Sequence, residues 1–430
     1  MRKKWGYVSV IIICLVIISL VKGNCAYFIK ETSHFLTKPS SHHTGFIDRD
    51  IFNKTISVKE ALHEREVERI IEQMSLDEKI GQMMFSGMTG KQLTAETTRL
   101  VKEYQVGGIL LFEHNIDSLQ QTITLLNELK RENSQNRLPI FLGVDQEGGR
   151  VERLPEEIKK LPKNKAIGEQ QDEELSYQVG ELLGEMLRLF GFNLNFAPVL
   201  DIHSHPENPV IGDRSFGSDP EIVGKLGVQT MKGMQAKQVV PVIKHFPGHG
   251  DTSVDSHFEL PEVNKEMTEL VAFELLPFKK AIEEGADMVM TAHILFPQID
   301  ATVPASMSNK IITDILRDQL DFDGVVITDD LTMQAITDHN DLGEAAIQAV
   351  QAGTDMILMA HHDNQFIAVI QALKEAVENG DISEERIDES LTRIIRLKGK
   401  YQLEDVPVEA IDPKEINQMI KRIEASMYEQ

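Results

Sequence analysis

Gly324-Val325-Val326-Ile327-Thr328-Asp329-Asp330 is a short, β-favouring apolar run that ends abruptly on two carboxylates. The same grammar recurs along the chain: GQMMFSG (81–87), VGGILLF (106–112), PIFLGVD (139–145), FNLNFAPVLD (192–201), VVPVIKHF (239–246), ADMVMTAH (286–293) and TDMILMA (354–360). These eight runs are apolar nearly throughout, as strands of a parallel sheet covered on both faces must be. Longer segments of period 3.6 separate them. Leu175, Val179, Leu182, Leu183, Met186 and Phe190, for example, fall on one face of a helix. Polar residues sit just after the strand candidates: Asp145, Asp201, Lys244-His245, His293 and Asp329-Asp330. Barrel chemistry collects at the C-terminal ends of strands. Eight consecutive βα units with that polarity predict an α/β fold, a (β/α)₈ TIM-type barrel forming a single catalytic domain. A doubly wound open sheet is the runner-up.

Outward from this core, Ser75 with Glu78 forms a capping-box signature at a helix start. The barrel is expected over residues 64–404. Residues 27–63 read as a flexible linker, with Ser, Thr, His and Pro and no sustained periodicity; His42-His43 belong to it. Before that, Arg2-Lys3-Lys4 precedes an apolar run from Val8 to Val21. As a helix this run rises only about 21 Å, short of a bilayer core of roughly 30 Å. Residues 1–26 therefore read as a signal peptide or membrane anchor that contacts the membrane at least during export. Gly23-Asn24-Cys25-Ala26 is not a clean small-x-small pattern, which leaves a cleaved signal, a lipidated cysteine and a retained anchor as readings of one segment. The expected address is extracytoplasmic. Residues 405–430, short and acidic, are set apart as a C-terminal tail.

The net charge is −24 over 430 residues, and the first 24 carry four bases and no acid. So acidic a remainder argues against nucleic acid as a partner, because phosphates need a basic stripe. The only cysteines, Cys14 and Cys25, lie in the N-terminal segment. The barrel thus has no disulfide, thiol nucleophile or cysteine-ligated zinc.

The densest chemical constellation is KHFPGHGDTSVDSH (244–257), three histidines among lysine and carboxylates directly after a buried strand. Two readings stand. His245, His249, Asp255 and His257 are the residue types that bind zinc. Alternatively Asp255 orients His257 and stabilises its protonated form, making a proton-transfer pair. Asp329, at a barrel mouth, has the chemistry to attack an anomeric carbon and form a glycosyl ester. Asp330 either shares that role or caps the following helix.

The loop 244–257 and ITDDLTM (327–333) together resemble the signature of glycoside hydrolase family 3, in its bacterial β-N-acetylglucosaminidase (β-hexosaminidase) branch. MSLDEKIGQMM (74–84), GVDQEGGRVERL (143–154), NLNFAPVLDI (193–202), NPVIGDRSFG (208–217) and MTAHI (290–294) carry the resemblance from about Ser75 to Ala360. It implies Asp329 as nucleophile, His257 as general acid/base and Asp255 as its dyad partner. Asp145, Arg214, Lys244 and His245 match groups that hold the sugar; Arg153 and His293 lie in matching motifs. No metal and no cofactor are implied. The expected partners are β-linked N-acetylglucosamine oligosaccharides, cell-wall (peptidoglycan) fragments or chitin oligomers, cleaved with retention from the non-reducing end. A β-glucosidase or xylosidase, a glycoside phosphorylase and a catalytically silent sugar-binding protein are the alternatives on the same fold.

Overall fold

The computed structural model describes residues 64–252, 254, 256, 259–360, 365–409 and 412–428. The N-terminal segment, the linker and the expected dyad, Asp255 and His257, lie outside the described residues. Among the described residues no helix is long and apolar enough to cross a membrane.

All eight apolar runs form strands: β1 (Met84–Ser86), β2 (Gly108–Leu111), β3 (Phe141–Val144), β4 (Leu194–Asn195), β5 (Val240–Phe246), β6 (Met288–Thr291), β7 (Val325–Thr328) and β8 (Ile357–Met359). Every residue in them is buried. They pair in parallel in the order β7-β6-β5-β4-β3-β2-β1-β8. A parallel bridge between Ile327 and Met356 joins the two ends. There Thr328 N donates to Met356 O at 3.1 Å and Met356 N to Val326 O at 2.9 Å. The result is a nearly closed (β/α)₈ barrel, and the open-sheet alternative is excluded.

A helix follows each strand: Ala95–Lys102, Leu119–Asn133, Glu173–Phe190, Pro220–Ala236, Leu275–Glu283, the π-helix Lys310–Gln319, Leu342–Gln351 and Gln365–Glu378. Their starts are chemically marked. Ser75 accepts from Glu78 N while Ser75 N donates to the Glu78 carboxylate at 2.7 Å, so the expected capping box is present. Asp172 accepts from Glu174 N and Leu175 N, and Gly191 ends that helix at φ +104°, a left-handed conformation that suits glycine. The six residues read as one face of Glu173–Phe190 are all buried.

Residues 405–430 do more than trail. Helix Pro413–Tyr428 packs on Glu173–Phe190 and buries Ile416, Ile420 and Ile423 in the main barrel core. The run lacks a core of its own because it shares the barrel's.

Candidate active site

The strand ends converge on a cavity of about 550 Å³ at the C-terminal mouth. Its lining includes Asp145, Glu147, Arg153, Arg214, Lys244, His245, His249, Ser256, Asp329 and Asp330. Of the expected site residues described, only His293 is not in this lining.

One wall is an ion cluster built from two loops and a strand. Lys244, on β5, reaches Asp145 Oδ1 at 2.5 Å and Glu147 Oε1 at 2.8 Å. Arg214 grips Glu147 with both arms, Nε to Oε2 at 2.8 Å and Nη2 to Oε1 at 2.7 Å. Burial alone would raise the Glu147 carboxyl, but Arg214 and Lys244 overcome it and hold the group far below the usual range. Burial likewise opposes the charges on Arg214 and Lys244, and the facing carboxylates push both upward. Glu147, Arg214 and Lys244 are therefore all ionised at neutral pH. Within the cluster the Glu147 side chain has no exposed surface and that of Lys244 has 2%, whereas Asp145 keeps 19%. Asp145, and Arg214 with 12%, are thus the members with surface free for a ligand hydroxyl.

A second group fixes the histidines. Asp201, in the loop after β4 and fully buried, accepts from His245 N at 3.2 Å, His249 N at 2.7 Å and His245 Nδ1 at 2.6 Å. Burial would raise its pKa; His245 and His249 reverse that and keep it ionised. With Nδ1 engaged, Nε2 is the His245 nitrogen left for a ligand. His249 has both nitrogens on hydroxyls, Nδ1 with Thr252 at 2.9 Å and Nε2 with Ser256 at 3.1 Å. Burial pulls its pKa down to about 4, with His245 adding to the effect. Among the described residues no cluster of His, Cys, Asp and Glu side chains fit to hold a metal occurs.

Buried amides hold the loops to one another. Asn195, on β4, clamps the backbone of Gln146, whose side chain in turn accepts from Arg153 N at 2.8 Å. Asn208 donates to His249 O at 2.9 Å and accepts from Val210 N and Ile211 N, tying the loop after β5 to the one that carries Arg214. Gly250 lies so close to this loop that an added Cβ would stand 1.6 Å from Ile202 O.

Asp329 follows β7 directly. Its backbone N donates to Thr291 O at 2.9 Å, and its Oδ1 accepts from Asp330 N at 2.8 Å. Asp330 also lines the cavity, but its carboxylate is committed to structure: Oδ1 accepts from Thr332 N at 2.9 Å, Thr332 Oγ1 at 2.7 Å and Ala360 N at 2.9 Å. It closes a turn and ties β8 to it. The next helix, Gln334–Thr337, is instead preceded by Met333 at its N-cap, so Asp330 does not cap it. His293, expected beside the sugar, is buried with Nδ1 accepting from Ser306 Oγ at 2.7 Å and Nε2 donating to Asp330 O at 3.0 Å. It holds the Asp329-Asp330 turn from behind. Glu147, Asp201 and Asn208 were not singled out from the sequence as site residues. Two of them were visible as acids just beyond a strand, and Asn208 only as part of a motif.

Comparisons with known proteins show the family. Residues 75–397 match the glycosyl hydrolase family 3 N-terminal domain. A beta-hexosaminidase from Hydrogenovibrio crunogenus is 38% identical over 69% of this chain and 81% of its own length. Beta-hexosaminidase A from Pseudoalteromonas piscicida is 35% identical over 78% of this chain, and the match spans 60% of that protein. Among solved structures, a glycoside hydrolase family 3 beta-N-acetylglucosaminidase from a Paenibacillus strain superposes with a TM-score of 0.77 at 41% identity, covering 81% of this chain and 68% of that one. Barrel, mouth cavity and sequence match point the same way: the chain belongs to glycosyl hydrolase family 3.

Proposed function

We propose that the chain is a retaining exo-β-N-acetylglucosaminidase, removing a terminal non-reducing β-linked N-acetylglucosamine through a glycosyl–Asp329 intermediate. The observation that carries this reading is Asp329 at the end of β7, in one cavity with the ion-paired Asp145–Lys244–Glu147–Arg214 wall. The relatives' names, beta-hexosaminidase and beta-N-acetylglucosaminidase, support the amino sugar.

In the first step Asp329 attacks C1 of the sugar, the C1–O bond to the leaving group breaks, and His257 gives its proton to the departing oxygen. In the second, His257 takes a proton from water, which attacks C1 and releases Asp329. Asp255 orients the imidazole. Ser256, between these two in sequence, lines the cavity and meets His249, which supports a dyad working at its edge. Asp145, Lys244, Arg214 and His245 hold sugar hydroxyls, and the fixed charges act without reorganisation while positive charge develops at C1. The export-type N-terminus supports an extracytoplasmic address, with peptidoglycan fragments as natural substrates.

The test is a p-nitrophenyl glycoside panel. The β-N-acetylglucosaminide should exceed the β-glucoside and β-xyloside in kcat/KM by roughly a hundredfold or more, as expected where polar groups read a substituent. A mechanism-based fluorosugar should label the peptide carrying Asp329. Preference for the glucoside, or labelling at Asp145 or Asp201, would refute the proposal.

A further inference from the structure

The mouth cavity does not end at the ion cluster. It shares Phe112, His114 and Arg153 with a second cavity of about 520 Å³. That one shares Glu113, His114 and Arg153 with a third of about 750 Å³, lined further by Lys91, Asp117, Glu156 and Glu157. A continuous groove therefore leads from the mouth cavity, where Asp329 lies, across the loop after β2.

Where the cavities meet, the rings of Phe112 and His114 lie parallel, 6° apart with centroids 5.8 Å apart. Phe112 is half-buried and His114 exposed. The pair is fixed from beneath. Asn115, fully buried, donates to Met88 O at 2.9 Å and Gly90 O at 2.8 Å, and its Oδ1 accepts from Phe112 N at 2.8 Å. The His114 ring meets Met88 O through Nε2 at 3.3 Å. Flat, pre-set and partly open to water, this surface matches the apolar C–H face of a pyranose ring. Arg153 lines all three cavities, and among the described residues its guanidinium makes no ion pair. A donor fork with no carboxylate of its own suits the hydroxyl, amide or carboxylate oxygens around such a ring.

We propose that Phe112 and His114, with Arg153 beside them, form the subsite for the sugar on the leaving-group side of the scissile bond, and so set the preference for oligosaccharide over simple glycoside. This rests on the glycosidase reading above. The ligand chemistry is a β-linked pyranose, supplied either by a neutral chitin-type oligomer or by a cell-wall disaccharide bearing a lactyl carboxylate.

The experiment compares β-N-acetylglucosaminyl fluoride, which has no leaving-group sugar, with chitobiose and with the N-acetylglucosaminyl–N-acetylmuramic acid disaccharide. His114→Ala should lower kcat/KM on at least one disaccharide by roughly three- to tenfold, the scale of one aromatic contact, and leave the fluoride unchanged. His114→Phe, which keeps a flat ring, should restore most of the loss. The disaccharide with the larger loss identifies the source, and equal losses mean that the shared pyranose ring is what the platform reads. If the wild type turns over the fluoride but His114→Ala leaves every ratio unchanged, or depresses the fluoride equally, the subsite is refuted. Failure of the wild type on the fluoride would instead overturn the glycosidase reading itself.

Discussion

Single residues carry the chemistry, and here Asp329 and Asp330 separate cleanly although they are neighbours. Both line the cavity, but Asp330 spends its Oδ1 on Thr332 and Ala360. The sequence motif singled out Asp329 but left Asp330 either sharing its role or capping a helix, because local pattern cannot say which of two adjacent carboxylates finds partners across the β7–β8 seam. Asp329→Ala should therefore abolish turnover with an unchanged melting temperature. The proposed acid/base is tested through leaving groups. A dinitrophenolate departs with little proton assistance, whereas a sugar alkoxide cannot. His257→Ala should lose about 10²–10⁴-fold on a disaccharide and far less in the first step on a dinitrophenyl glycoside. On the activated substrate the ester at Asp329 should accumulate, visible as a burst. Asp255→Ala should repeat the pattern more mildly. Equal losses on every substrate would mean that the pair holds the sugar or the loop.

At the level of elements, the strands were legible because burial on both faces makes each a run of apolar residues, whatever its neighbours. Even the two-residue β4 lies inside its expected stretch, FNLNFAPVLD. The ion cluster was half legible. Lys244 and Arg214 could be named from their motifs, but that Glu147 sits between them depends on contacts spanning 67 residues of sequence, which no local periodicity encodes. The C-terminal helix was hidden differently. Its apolar positions, Ile416, Ile420 and Ile423, repeat correctly but are too few for a core and acquire meaning only against Glu173–Phe190. This helix also reaches the site's scaffold: Asn417 accepts from Lys159 N at 2.7 Å and donates to Glu157 O at 2.7 Å. Those residues continue the loop that starts with Asp145 and Glu147. Ile420→Ala should cost about 2–5 kcal/mol of stability, as for other buried Ile-to-Ala changes. Asn417→Ala should leave most of the stability and raise KM by freeing the loop. A truncation after residue 404 with unaltered unfolding midpoint and kinetics would show that the helix is dispensable.

For the molecule as a whole, pH tests the fold at both ends of the barrel, because each end buries a base. At the mouth, His249 is held neutral, its pKa drawn down by burial to about 4. Its ordinary value is near 6.5, so between about pH 4 and 6.5 the unfolded chain binds the extra proton and stability rises with pH. At the opposite end Lys398, from helix Glu384–Lys400, is 2% exposed. Its ammonium donates to Gln82 Oε1 at 2.7 Å and Gly107 O at 3.3 Å, and lies 4.7 Å from the centre of the Phe141 ring. Burial pulls its pKa down to about 7 from an ordinary 10.5, with Asp405 pulling weakly the other way. The unfolded chain holds this proton up to about 10.5 and the folded chain releases it near 7. Across that window the unfolded state binds more protons, and stability climbs with pH; below about 7 the full cost of the buried charge persists. One pKa unit corresponds to about 1.4 kcal/mol, so the climb should amount to a few kcal/mol. Tyr401 acts with the opposite sign, since burial and the Asp287 charge hold its phenol protonated, but only above about pH 10, where a free tyrosine ionises. Urea midpoints at half-unit steps from pH 6.5 to 9.5 should therefore rise in the wild type, and Lys398→Met, which keeps the length and removes the proton, should flatten the rise. The same slope in both proteins would place the titrating group elsewhere. No rise in either would mean that the bonds to Gln82, Gly107 and the Phe141 ring keep the ammonium charged throughout.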